Sequence, residues 1–413
     1  MALKGYVENQ KGKWPVGENV TAVRKTYKYQ LEPTPEQEQA LDTTLYRCRT
    51  LYNGALEQRR VWWERGEGKS ATYYQQASEL PDMKAACPEF AAVHSQVLQD
   101  VLKRLDKAFD AFFRRVKGGT KAGEAPGYPR FQGRGRYHSF TYPQYGNGAT
   151  LDGRILTLSK IGRIRIRLHR PMEGAPKTVT ISREADGWYA CLSCEGVPTQ
   201  PLPLTGRETG IDVGLKVFLV TAHGLVVENP RHFRQGERRL ANADKAVARC
   251  QKGSKGRKKA LARRAKTHQH IKRQRADFHH KTALMLVRDH DVIYLEDVQV
   301  ANLRHRPAPK PDGKGGYLPN GAKRKAGLNK SISDAGWSTF RAILTSKAVW
   351  AGKRVEAIPP AYTSQDCSGC GERVPKSLSI RTHVCPSCGL VLDRDENAAI
   401  NILRAGQARQ GLT

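Results

Sequence analysis

Acids are scarce in this chain. Against 70 Lys and Arg there are 39 Asp and Glu, which leaves a formal net charge of +31 over 413 residues. So uneven a balance calls for a polyanionic partner, and nucleic acid fits best because each neutralised phosphate releases a counterion. Long apolar runs are missing as well. No stretch of about 18 apolar residues occurs, so no membrane-spanning helix and no membrane partner are expected. The opening "MALKGYVENQKGKWPVGENV" has none of the apolar centre of a secretory signal. No internal repeat is visible. The expected compartment is a reducing cytoplasm, where nine cysteines point to metal before disulfides. What is present is enough to fold: 39% of the residues are hydrophobic, and the length suits two or three domains.

After a loose extension over 1–21, "AVRKTYKYQLEP" reads as a strand. Thr34 and Gln37 then form a capping box, with Pro35 at the first helical position. Leu41, Leu45, Cys48, Tyr52 and Ala55 recur at helical spacing, as do Val97, Val101, Leu105, Phe109 and Phe112 further on. Residues 34–120 thus read as a helical insert behind one strand. The stretch 127–148 interleaves Arg130, Arg134 and Arg136 with rings such as Phe131 and Tyr137, a pattern that suits phosphates and unstacked bases; loop rings covering a sheet edge are the other reading. Alternating segments up to about 204 supply strands that close a small barrel with the first one. Cys191 and Cys194 sit within such a strand and read as structural. Residues 230–288 read as helical and densely basic, with Arg257, Lys258, Arg263 and Arg264 at the centre. The Pro/Gly/Lys-rich stretch 304–330 reads as a mobile loop, and "DAGWSTFRAILTSKAVWAG" as a helix.

Two metal chemistries meet near the end. Cys367, Cys370, Cys385 and Cys388 form two CxxC pairs fourteen residues apart, and four thiolates at that spacing can wrap one tetrahedral Zn²⁺ with no open position, so the zinc is structural. Asp212 lies in an apolar strand, Glu296 ends another, and Asp393 and Asp395 open a last helix. Each has a plain alternative: a turn acid, a strand-end charge, a helix cap. Together they match the way an RNase H-like sheet gathers carboxylates around two Mg²⁺. Of the two aspartates, Asp393 precedes Glu396 by three and suits the cap, which leaves Asp395 in the first turn, able to face the other acids.

"GIDVGLKVFLV", "YLEDV", "SISDAGW", "YTSQDCSGCG" and "CPSCGLVLDRDENAAINI" resemble the TnpB family, with "YQLEPTPEQ", "YPRF" and "SFTYPQ" fitting further upstream. These are transposon-encoded, RNA-guided DNA endonucleases related to type V CRISPR effectors, and the match runs from about residue 22 to 403. The resemblance implies an α/β, RNase H-like (RuvC) nuclease domain over 205–403 with a zinc ribbon inserted at 363–391. It also implies an N-terminal β-barrel (22–33 and 121–204) carrying a helical recognition insert (34–120), with a tail over 404–413. It places the catalytic, Mg²⁺-binding acids on Asp212, Glu296 and Asp395. It also aligns Tyr73, Gln75, Gln99 and Thr141 with positions that contact a short motif on target double-stranded DNA. A guide RNA from the transposon end, one protein per RNA, and association with a prokaryotic nucleoid follow by the same resemblance. A repressor that binds without cutting, or a compact CRISPR effector, are the alternatives it leaves.

Overall fold

The structure is a computed structural model and describes residues 21–66, 70–118, 126–377 and 379–410. All but one residue of the expected N-terminal extension lies outside these. The chain divides into two compact units, one over Ala22–Pro198 and one from Thr199 onward.

The first unit is a seven-stranded antiparallel sheet with helices inserted after its first strand. The strands are β1 (Ala22–Glu32), β2 (Ser139–Tyr142), β3 (Ala149–Asp152), β4 (Ile155–Leu158), β5 (Gly162–Arg167), β6 (Ala175–Glu184) and β7 (Gly187–Pro198). Their spatial order is β2-β6-β7-β1-β5-β4-β3. The two edges, β2 and β3, are consecutive in the chain, yet no ladder joins them among the described residues, so the sheet is nearly a barrel rather than a closed one. Strict alternation drives it: Tyr27, Tyr29 and Leu31 on β1, Ile164 and Ile166 on β5, and Val179 and Ile181 on β6 are all buried.

Between β1 and β2 run α1 (Pro35–Arg65), α2 (Tyr73–Ser78), α3 (Leu80–Ala86), a 3₁₀ turn (Pro88–Ala92) and α4 (Ser95–Lys117). Helix α1 starts as its sequence dictates. The Thr34 side chain accepts from Gln37 N–H, and the Gln37 side chain accepts in return from Thr34 N–H. The buried stripes of α1 and α4 merge with the sheet side chains into one continuous core.

The second unit is built on a five-stranded sheet. Its strands are β8 (Glu208–Val213), β9 (Val217–Thr221), β10 (Val226–Glu228), β11 (Val292–Glu296) and, after a two-residue hairpin of β12 (Lys310–Pro311) and β13 (Tyr317–Leu318), β14 (Arg354–Ile358). The order is β10-β9-β8-β11-β14, with β8, β11 and β14 parallel and the other neighbours antiparallel. The helices are α5 (His232–Ala248), α6 (Lys255–Asp289), α7 (Val300–Leu303), α8 (Ala322–Ala335), α9 (Trp337–Trp350) and α10 (Arg394–Gln410), and the small hairpin β15 (Thr382–Val384) with β16 (Val391–Asp393) precedes α10.

The two faces of this sheet are covered by different helices. Ile211, Ile293 and Leu295 pack against Ala283, Leu286 and Val287 of α6 and Phe340, Ile343 and Leu344 of α9. Val292, Tyr294 and Ile358 pack against Ile402 of α10. Because successive strand residues face opposite sides, Gly210 and Asp212 fall on the α10 side of β8, and Glu296 follows Val292 and Tyr294 to the same side of β11.

Three sequence expectations need correction. The expected loop over 304–330 ends early, because residues 322–335 form α8. The helix expected from Asp334 is broken at Gly336, whose φ of +65° ends α8 and starts α9. Residues 404–410 are no tail but the last turns of α10.

Candidate functional site

The acids collect where the parallel strands end. The ladder between β8 and β11 pairs Leu295 with Ile211, so Glu296 and Asp212 are the next residues along two adjacent strands. Helix α10 runs back down the same face. Gly210 makes that possible: a Cβ there would stand 2.2 Å from Ala399 O and 2.5 Å from Leu403 N, so only a residue without a side chain lets the helix lie on the strand. Near the other end of α10, a Cβ on Gly406 would stand 2.1 Å from the Tyr294 ring. One helical turn before Ala399 comes Asp395, which this seating brings to the Asp212 end of the strand.

The electrostatics register that gathering. Burial raises the Asp212 carboxyl first, then the charges of Glu296 and Asp395, against smaller opposing effects of Arg394 and the Val213 N–H; the pKa stands at about 8. Burial also raises Glu296, while the Thr363 hydroxyl, donating to Glu296 Oε1, pulls it down. Asp395 is buried and takes Arg394 at 3.0 Å and Arg381 at 3.3 Å. Asp393 instead accepts the N–H of Asp395 at 2.8 Å and that of Glu396 at 3.4 Å, which is the capping role its spacing predicts.

The four cysteines are brought together. Their Sγ atoms all lie within 4.8 Å of one another, with Cys367–Cys388 and Cys370–Cys385 each at 3.6 Å. A tetrahedron with metal–sulfur bonds of about 2.3 Å has edges of about 3.8 Å, so the donor set fits one tetrahedral ion. Each CxxC turns as a knuckle: Gly371 N–H donates to Cys367 O and Gly389 N–H to Cys385 O, with φ of +83° and +71° at the two glycines. Among the described residues this is the one group of three or more metal-type ligands found drawn together in this way.

Sequence reading missed the side chains that tie these two clusters together. Asn397 Oδ1 accepts the Ser368 N–H at 2.9 Å, and Asn397 Nδ2 donates to Asp366 O at 2.8 Å. Asn401 Nδ2 donates to Thr363 O at 2.9 Å and to Asp366 O at 2.6 Å, and Arg404 reaches Ser368 O. The root of the ribbon is therefore pinned to α10 by one helix face. The i, i+4 pair of asparagines in "NAAIN" is the signal that was there to be read.

The expected nucleic-acid contacts divide by environment. Arg130, Phe131, Arg134 and Arg136 are exposed, and Arg60 lies over the Phe131 ring at 5.5 Å. Tyr137 is not an open platform: it is buried in the core beside Tyr52. On α6, Lys258 and Arg263 are exposed. Arg257, however, caps α5 by donating to Val247 O and Cys250 O, and Arg264 pairs with Asp244 at 2.8 Å. Gln99 is exposed on α4 and Tyr73 half-buried at the start of α2. The Gln75 side chain accepts from Thr72 N–H as the cap of α2, and Thr141 Oγ1 accepts from Arg104 at 2.6 Å while sharing a bond with Thr180.

Comparison with known proteins places three family models along the chain. The model described as "Helix-turn-helix domain" matches 21–69, where the structure has β1 and the single helix α1. The model "Probable transposase" matches 191–306, and "Cas12f1-like, TNB domain" matches 337–402. A protein of Streptomyces pristinaespiralis named "Putative RNA-guided DNA endonuclease" is 37% identical over 94% of this chain and 90% of its own length. "Putative RNA-guided DNA endonuclease InsQ" of Escherichia coli K12 is 33% identical over 93% and 92%. Among solved structures, the Cas12f1–sgRNA–target DNA complex aligns with 92% of this chain and 98% of that one at a TM-score of 0.51 and 13% identity, a likeness of fold.

Proposed function

The chain belongs to the TnpB family of transposon-associated RNA-guided DNA endonucleases, and we propose that its second unit is the RuvC-like nuclease, with Asp212, Glu296 and Asp395 as the catalytic acids. The observation that carries this reading is the convergence of three acids from β8, β11 and α10 on one face, at the carboxyl ends of the parallel strands. Open α/β sheets place their ligand sites at such ends. The sheet order, with three antiparallel strands followed by two parallel ones on the other side of β8, supports an RNase H-like assignment.

The donor set fits hard divalent cations. Asp212 is held up at about 8 by burial and by two neighbouring carboxylates, a local excess of negative charge that a cation relieves. The three acids would hold Mg²⁺, which supplies an activated water and charge stabilisation for the leaving oxygen of a phosphodiester. The thiol cluster would hold Zn²⁺ as a structural ion, since soft and hard donors select different metals. The chain's own part is positional. The sheet fixes Asp212 and Glu296 against each other. The bed formed by Gly210 fixes α10, and the Asp393 cap fixes the turn from which Asp395 projects.

A guide RNA from the transposon end is the proposed partner, one protein per RNA, with base pairing reading the target and the protein reading a short adjacent motif on the duplex. Gln99 and Tyr73 are the members of the proposed motif-reading set whose side chains stand nearest to solvent without a capping duty. The test is plasmid cleavage by the protein purified with its native RNA in Mg²⁺. Specific cutting that vanishes without the RNA, or with Glu296→Ala, supports the reading; binding without any cutting by the unaltered protein defeats it.

A further inference from the structure

We infer that Thr363 is a positioning residue for Glu296, through which the zinc ribbon aligns a second acid besides the one on α10; this rests on the assignment of Glu296 as a metal-binding acid. Thr363 is buried, and its hydroxyl donates to Glu296 Oε1. Its carbonyl is held from the other side by Asn401 of α10 at 2.9 Å. One residue therefore bridges the strand that carries Glu296 and the helix that carries Asp395.

The backbone around it is built to aim that hydroxyl. Tyr362 has φ of +64°, a left-handed conformation that a bulky aromatic rarely adopts. Two N–H donors, from Gln365 and Asp366, converge on Tyr362 O at 2.9 Å each, and the Arg373 guanidinium stacks 3.5 Å from the Tyr362 ring. Arg373 also pairs with Asp366 at 3.0 Å, so the ribbon holds the turn from above as α10 holds it from below. The Tyr362 ring itself is half exposed, so burial of that ring is not what holds this turn. Its effect is to bring Thr363 inward against Glu296. A carboxylate that ligates metal with one oxygen is usually fixed by a hydrogen bond at the other, and loss of such a bond typically costs about 10–100-fold in metal affinity or activity.

Thr363→Val keeps the shape and removes the donor; Thr363→Ser keeps the donor and trims the shape. The probe is Mn²⁺, counted by electron paramagnetic resonance on the RNA-bound protein without DNA, alongside single-turnover cleavage across Mg²⁺ concentrations. Thr363→Val is expected to weaken Mn²⁺ binding and to raise the half-saturating Mg²⁺ about tenfold, with guided target binding unchanged; Thr363→Ser restores both. If Thr363→Val fails to fold, Thr363→Ala carries the same comparison. Mn²⁺ binding and Mg²⁺ dependence like the unaltered protein's in a donor-less variant overturn the proposal, provided Glu296→Ala loses both. If Glu296→Ala itself binds Mn²⁺ and cuts normally, the underlying assignment is what has failed.

Discussion

Asp393 and Asp395 are two residues apart, yet they face different work. Asp393 spends its carboxylate on the free N–H groups of the first turn, so Asp393→Ala should cost about 1 kcal/mol of stability and leave cutting in place. Asp395 faces the other acids, so Asp395→Ala should keep RNA and target binding and lose turnover. Single-turnover cleavage at saturating Mg²⁺ separates them, and near-normal cutting by Asp395→Ala would transfer the role to Asp393. A second residue-scale expectation concerns the far end of the sheet. Lys353 is buried and pairs with Asp291, whose pKa burial alone would raise; Lys353 and the N–H groups of Thr205 and Gly206 outweigh that and hold it at about 2, below its ordinary 3.8. A depressed carboxyl contributes stability that is complete above its unfolded value and disappears as pH falls through the folded one, so this contribution should fade between about pH 4 and 2. Asp291→Ala strands the Lys353 ammonium and should cost about 3 kcal/mol, read as a fall in Tm at neutral pH.

At the scale of elements, α10 and the ribbon act as one piece. Asn397, Asn401 and Arg404 form a single stripe on α10 against the first knuckle. Cys367→Ser should therefore abolish the metal content and loosen the start of α10 together, measured by metal analysis beside cleavage; a metal-free variant that cuts normally would contradict the coupling. Gly210→Ala attacks the same piece from the sheet side. Its Cβ meets backbone, which cannot swing away as a side chain can, so α10 must lift. Loss of cleavage with RNA binding retained is the expected result, and full activity would mean that the helix position is not what sets the site.

For the whole molecule, the net charge of +31 predicts a large phosphate load. The protein should purify with a structured RNA, and its nucleic-acid affinity should fall roughly a thousandfold between about 50 and 200 mM salt; weak salt dependence would count against a backbone-dominated interface. How much of this was legible beforehand follows from which forces are local. The Thr34–Gln37 cap, the apolar runs of β8 and β11 that carry Asp212 and Glu296, and the Asp393 cap are decided within a few residues, and the sequence alone supplies them. What eluded it depends on distant partners. Tyr137 looks like a ring among arginines until the sheet folds over it. Arg257 looks like one more cation until the end of α5 arrives to receive it. Thr363 is unremarkable in "YTSQ" until Glu296, far upstream, lies against it.

The bed that Gly210 makes for α10 also sets an order of events during synthesis. In chain order Asp212 and Glu296 are made well before α10, the helix that seats above Gly210. The third acid reaches them only after the ribbon has been made and α10 has emerged. On the proposed assignment of the three acids, a chain that has not yet seated α10 above Gly210 would lack Asp395 at the site and should not cut, whatever nucleic acid its basic surfaces hold.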